Sequence, residues 1–129
     1  MFQVRHETRY FELVGEPDEI AGAVDVDALL DRGLDTLATP SVDREAVHTT
    51  LRRDPCRIRV ASGKDVRAVI EHTGTVCEPL GVCLSPRQIW VVRLDWPGLL
   101  AHEITHVVQR LLRRHPDEAA AARVADACA

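Results

Sequence analysis

Long apolar segments are absent from this chain of 129 residues, and aromatic residues are few. No stretch approaches the roughly 18 apolar residues of a membrane span, and no hydrophobic run follows a basic N-terminus, so we expect neither a membrane anchor nor a signal peptide. Aromatic residues make up only 4% of the chain, so valine, leucine, isoleucine and alanine must supply most of the core. These features predict a single cytoplasmic domain, residues 1–129, which is long enough to bury its own core.

Excess positive charge is also missing, because the formal net charge is −4 at pH 7. This balance argues against nucleic acid as a partner, since phosphates attract basic surfaces.

The four cysteines would suffice for two disulfides in a secreted protein. Without a signal peptide, reduced thiols are expected instead.

The most informative segment spans residues 99–109 and contains the pattern H-E-x-x-H. Residues i and i+4 of an α-helix share one face, so His102 and His106 present two imidazole rings to one metal ion. Glu103 lies one step around the helix, close enough to hold a metal-bound water without being a ligand. The pattern therefore predicts a zinc site with a carboxylate general base.

The alternative is an ordinary amphipathic helix that carries two chance histidines. A helical projection centred on Ile104 places the histidines on the side opposite the apolar stripe, beside Arg113. The apolar stripe consists of Leu100, Val107, Val108 and Leu111. This arrangement predicts that the helix buries one stripe and holds both histidines clear of the core.

The remaining histidines are His6, His48 and His72. They have no partner at metal-binding spacing, so we expect them at the surface or hydrogen-bonded within the protein.

Residues 99–109 resemble the active-site helix of the zincin metallopeptidases, and most closely that of small bacterial minigluzincin-like domains. The resemblance implies that His102 and His106 bind Zn²⁺ and that Glu103 is the catalytic base. It implies a hydrolase that cleaves a peptide or protein substrate by means of a zinc-bound water. It also implies an α+β, zincin-like fold, in which a small mixed sheet packs with helices and a C-terminal helix follows the active-site helix.

A catalytic zinc site normally has a third protein ligand. The metzincin branch would place a histidine at position 112 and a methionine in a later turn. Residue 112 is a leucine, and the single methionine is Met1. The sequence therefore does not fit that branch.

The gluzincin branch takes its third ligand from the following helix. If the chain folds back about residues 115–116, Asp126 lies level with the histidines, and Glu118 lies roughly 12–15 Å away along the axis. Two acids after Pro116 also suit the start of a helix, which gives Glu118 a structural explanation. Asp126 is therefore the predicted third ligand, and the alternatives are Glu118, His115 and Cys83.

The periodicity of the remaining chain predicts the order of its elements. Strands are expected over residues 2–14, 57–60 and 88–94, and helices over 21–37, 41–53, 64–72, from 99 to about 114, and after 116. In the zincin family the strand before the active-site helix often borders the cleft and pairs with extended peptide substrate. Residues 88–94 are therefore either such an exposed edge or an ordinary interior strand.

Two other functions remain open at this point. One is a non-catalytic zincin-fold binding module whose metal site is empty or degenerate. The other is a structural zinc site that a fourth protein ligand, such as Cys128, closes. Metal content and hydrolytic activity distinguish these possibilities from a peptidase.

Overall fold

The computed structural model describes residues 3–73 and 80–129, and of residues 71–73 only the backbone. Within these ranges the strands are β1 (Val4–Glu7), β2 (Phe11–Gly15), β3 (Cys56–Val60), β4 (Gly81–Ser85) and β5 (Gln88–Val91). The helices are α1 (Pro17–Ala21), α2 (Val26–Thr36), α3 (Ser41–Arg53), α4 (Gly63–Thr73), α5 (Pro97–Leu111) and α6 (Glu118–Cys128). The protein is thus a small mixed α+β domain. None of the helices in the described residues is long and apolar enough to cross a membrane.

The five strands form one mixed sheet in the order β1-β2-β3-β5-β4. The three inner strands are parallel to one another, while β1 and β4 pair antiparallel with their neighbours. In the register of the inner strands, Ile58 lies between Leu13 and Ile89. All three side chains are at most 2% exposed. Apolar residues at alternate positions of adjacent strands therefore build one buried face of the sheet.

The strand before the motif helix proves to be an interior strand. β5 covers residues 88–91 of the predicted 88–94 and pairs with β3 on one side and β4 on the other. Of the two alternatives left open for this strand, the interior strand is therefore confirmed, and the exposed edge is excluded. In the described part of the chain the sheet edge beside β5 is β4, a strand that the periodicity of the sequence did not predict.

Helix α5 lies between the sheet and two other helices, because it contacts β4, α2 and α6. Pro97 occupies its first turn, where a missing N–H costs no hydrogen bond. Gly33 of α2 allows α6 to approach closely, since a Cβ there would lie 3.2 Å from Val124 Cγ1. This contact holds α6 against α2 as well as against α5.

The predicted elements agree with the structure to different degrees. The helix over residues 41–53 is confirmed. The strand predicted over 2–14 is a hairpin of β1 and β2, whose turn is held by the Asp27 carboxylate, which accepts hydrogen bonds from Thr8 Oγ1, Arg9 N and Tyr10 N. The helix predicted from residue 21 begins only at Val26, because Asp25 caps it by accepting from Ala28 N.

Candidate metal centre

Burial around α5 differs from the amphipathic pattern that the sequence predicts. All residues from 98 to 109 are buried, and His102 and His106 are only 9% and 7% exposed. The expectation that the histidines lie clear of the core is wrong, because α6 packs along α5. Two polar rings held at such low exposure require hydrogen-bond partners or a ligand.

Both imidazole rings meet one carboxylate, that of Glu118. Nε2 of His102 lies 2.9 Å from Glu118 Oε2, and Nε2 of His106 lies 3.0 Å from Glu118 Oε1. The centroids of the two rings are 5.0 Å apart, and their planes meet at 74°. The structure thus brings together two imidazole nitrogens and one carboxylate at a point where α5 faces the first residue of α6.

His106 differs from His102 in how it meets this carboxylate. Although its Nε2 is close to Glu118, the angle does not fit a hydrogen bond, and this buried atom has no hydrogen-bond partner among the described residues. Its other nitrogen, Nδ1, lies 2.9 Å from Gln109 Oε1. The ring is therefore oriented from its Nδ1 side, while Nε2 is aimed at the point where the three side chains meet.

The position of Glu118 contradicts the predicted hairpin geometry. Helix α5 ends at Leu111 rather than near residue 114, and Arg113 adopts a positive φ of 56°, which turns the chain back. The loop then returns along α5, and the backbone N–H and C=O of Asp117 bond to the Gln109 side chain. Glu118 is consequently in contact with the histidines instead of 12–15 Å from them.

Asp126, the third ligand predicted from the sequence, lies outside this group. It is exposed near the end of α6 and lines a cavity of about 210 Å³ whose wall includes His102. The remaining residues of the cavity wall are Leu80, Trp96, Gly98, Leu99, Ala125 and Ala129. Asp126 thus shares a cavity wall with His102, but the carboxylate that contacts both histidines is that of Glu118.

The other candidate ligands also lie elsewhere in the described structure. His115 is exposed in the loop between α5 and α6, and Cys83 is buried on β4, where its Sγ donates to Ser85 O. Cys128 is 4% exposed at the end of α6, and burial raises the pKa of its thiol. A thiol must lose its proton to bind a metal, so this environment does not favour the fourth ligand of a structural zinc site. His72 lies outside the residues whose side chains are described.

Glu103, the predicted base, is fully buried and lies against the edge strand β4. A Cβ added at Gly81 would be 3.2 Å from Glu103 Cγ and 3.4 Å from Glu103 Oε2. The same Cβ would lie 3.0 Å from Leu99 Cδ1. Glycine at position 81 therefore leaves room for the carboxylate between α5 and the sheet.

The donor set fits a zinc ion. The ligand atoms of His102, His106 and Glu118 all lie within 4.8 Å of one another. Two atoms bound to one tetrahedral zinc lie roughly 3.3 Å apart, so small side-chain movements bring these three atoms to that spacing. Histidine nitrogen and carboxylate oxygen are ligands that zinc accepts, and the buried His106 Nε2 is an atom that a metal would satisfy.

Sequence reasoning missed the two residues that hold this arrangement together. Gln109 follows His106 by three positions, so both side chains lie on one face of the helix, a spacing that the sequence displays. Asp117 caps α6 by accepting from Ala120 N, and an aspartate followed by Glu118 and a run of alanines is a helix-start signal. Both signals are present in the sequence, but neither reveals that the two residues contact each other.

Comparisons with protein-family models, with curated proteins and with solved structures found no match to this chain.

Proposed function

We propose that the protein is a small zinc-dependent metallopeptidase in which His102, His106 and Glu118 hold the ion. The convergence of their three ligand atoms within 4.8 Å is the observation that carries this proposal. The H-E-x-x-H spacing supports it, because it sets a buried glutamate directly after the first histidine. A glutamate as third ligand would make this a zincin of the gluzincin type.

Zinc bound by these residues would supply a Lewis acid that makes water a nucleophile near neutral pH and polarises the substrate carbonyl. Glu103 accepts a proton from the attacking water while the water oxygen forms a bond to the carbonyl carbon of the substrate. The carboxylic acid then donates this proton to the amide nitrogen as the C–N bond breaks, which gives a new carboxylic acid and an amine. The new acid passes its proton to the amine, so the products at neutral pH are a carboxylate and an ammonium group. The carboxylate of Glu103 is restored at the end of the cycle.

The outer edge of β4, beside Glu103, is where we expect the substrate backbone to pair. Leu80 O accepts a hydrogen bond from Val92 N at 3.0 Å, so Leu80 faces the neighbouring strand β5. In an antiparallel pair the next residue, Gly81, directs its own N–H and C=O the opposite way. An extended peptide that pairs with Gly81 would lie next to the buried carboxylate.

Arg110 limits how far such a peptide extends along the edge. Its guanidinium donates to Cys83 O at 3.2 Å and to Leu84 O at 3.3 Å. These carbonyls are therefore occupied by a side chain of α5, one helical turn beyond His106. We expect substrate pairing to centre on Gly81 and to stop before Cys83.

The test uses the zinc-loaded protein and a complex mixture of peptides whose cleavage is followed by mass spectrometry. Glu103→Gln preserves the shape of the side chain but cannot accept a proton, so we expect cleavage to fall by about 10²- to 10⁴-fold. Zinc content should stay unchanged, because Glu103 does not belong to the ligand group. Cleavage by the variant within a few-fold of wild type would refute the assigned mechanism.

The same measurements separate a peptidase from a binding module. A zinc-loaded wild type that cleaves no peptide would indicate a non-catalytic domain that retains its metal. A wild type that binds no zinc would overturn the metal site itself.

A further inference from the structure

Gln109 is a buried polar residue, only 5% exposed, that the proposed reaction does not use. Its side-chain amide makes three contacts. Oε1 lies 2.9 Å from His106 Nδ1 and accepts a hydrogen bond from Asp117 N at 3.2 Å, while Nε2 donates to Asp117 O at 3.1 Å. The Gln109 amide therefore contacts His106, a proposed metal ligand, and Asp117, which directly precedes the proposed ligand Glu118.

We propose that Gln109 is a positioning residue that prepares both histidine and glutamate for the metal. It sets the tautomer and the direction of the His106 ring, and it fixes the backbone from which Glu118 projects. This inference rests on the zinc site of the proposed function, but the first of its two parts is testable without zinc.

The backbone of Asp117 determines which way the Gln109 amide points. Asp117 offers one donor, its N–H, and one acceptor, its C=O, to the same side chain. The amide oxygen must face the N–H and the amide nitrogen must face the C=O, because the opposite orientation would pair donor with donor and acceptor with acceptor. The orientation is thus fixed by backbone groups whose donor and acceptor roles cannot change.

That orientation in turn determines the tautomer of His106. The oxygen that faces Nδ1 has no proton to give, so the contact requires a proton on Nδ1. In the neutral ring the other nitrogen, Nε2, then carries a lone pair, which is the form that binds a metal. This nitrogen is the buried atom beside Glu118 that has no hydrogen-bond partner among the described residues.

The second effect acts through the start of α6. Asp117 is the N-cap of this helix, and Glu118 is its first residue. Because Asp117 is held by two hydrogen bonds to one rigid amide, the backbone at Glu118 has little freedom to move away from α5. Metal binding then costs less ordering of the loop than it would for an unattached helix end.

Three variants test this role. Gln109→Leu keeps the approximate size and removes all three contacts. Gln109→Glu keeps an oxygen for His106 and for Asp117 N but loses the donor to Asp117 O. Thr105→Val is the matched control, because it removes a different buried hydrogen bond of the same helix, from Thr105 Oγ1 to Ala101 O.

Zinc affinity is measured by competition with a chromogenic chelator. We expect Gln109→Leu to weaken zinc binding by about 10- to 100-fold, the usual effect of removing a group that orients a metal ligand. Gln109→Glu should recover part of this loss, and Thr105→Val should match wild type. Equal affinities of Gln109→Leu and wild type, or an equal loss in Thr105→Val, would overturn the proposal.

The tautomer of His106 is read from side-chain ¹⁵N shifts of the metal-free protein at a pH where the ring is neutral. We expect the Nδ1–H form in wild type and its loss in Gln109→Leu. An Nε2–H form in wild type would contradict the inference whether or not zinc binds. If wild type binds no zinc but shows the Nδ1–H form, the proposed function fails while the effect of Gln109 on the ring stands.

Discussion

Two histidine–carboxylate contacts in this molecule have similar distances but different compositions. On α3, His48 Nε2 lies 2.8 Å from Asp31 Oδ1, and its ring stacks on Tyr10 with centroids 4.9 Å apart. Between α5 and α6, two histidines share the single carboxylate of Glu118. In the first case one imidazole has one carboxylate partner and stacks on one aromatic ring.

In the second contact one buried ring nitrogen, His106 Nε2, has no hydrogen-bond partner among the described residues. Two ring nitrogens and two carboxylate oxygens converge, and both histidine residues are at most 9% exposed. The His48 ring lacks a second imidazole, and it belongs to no group of three potential ligands in the described part of the chain. The comparison indicates that a second histidine one helical turn away is what separates a candidate metal centre from a structural contact.

The largest expected effect is the loss of zinc binding when one histidine of the group His102, His106 and Glu118 is removed. His102→Ala and His106→Ala should each abolish stoichiometric zinc binding, because two remaining protein ligands hold the ion poorly. His48→Ala should bind zinc as wild type does, since its ring lies in the other contact. Metal analysis after dialysis checks the three variants, and zinc retained by both site variants would remove the basis of the assignment.

The next effect concerns the two carboxylates of α6. Glu118→Ala should weaken zinc binding by more than about 100-fold, beyond the loss expected for a residue that only orients a ligand. Asp126→Ala should change affinity by less than about 2-fold, because a charge outside the ligand group acts only through screened electrostatics. Titration with a zinc indicator provides the measurement, and Asp31→Ala is the control carboxylate. The reverse order of the two α6 variants would restore the hairpin geometry predicted from the sequence.

The smallest expected effect is the coupling free energy of the His48–Asp31 pair. A double-mutant cycle over His48 and Asp31, followed by urea unfolding, should give a coupling energy of about 0.5–1 kcal/mol, since Asp31 is half exposed and the pair is partly screened. A cycle over His106 and Glu118 in zinc-free protein should be similarly small and should rise when zinc is added. A coupling at His48 that also rises with zinc would show that the two contacts are not of different kinds.

Local signals in the sequence predicted much of the fold and part of the site. The bounds of α3 follow from Pro40 and from Asp54 with Pro55, and the core strands follow from alternation around Ile58. The positions of His102 and His106 on one helical face depend only on a spacing of four residues. Such features are set by neighbours in the chain, so the amino-acid sequence alone displays them.

The carboxylate that meets the two histidines was not predictable in the same way, because its position depends on a loop conformation. A helix that ends three residues earlier than predicted, a positive φ at Arg113 and two hydrogen bonds between Gln109 and Asp117 move Glu118 to the histidines. The edge strand was missed for a related reason. Sheet order arises from long-range pairing, and nothing local distinguishes interior β5 from edge β4.

The central claim is that His102, His106 and Glu118 bind one zinc ion, and anomalous diffraction at the zinc edge tests it most directly. Crystals of the full chain grown with one equivalent of zinc should show a single strong peak within bonding distance of Nε2 of both histidines and of a Glu118 oxygen, about 2.0–2.2 Å from each. Asp126 should lie outside bonding distance. The account would be contradicted by a site without a peak, or by a peak that binds Asp126 in place of Glu118.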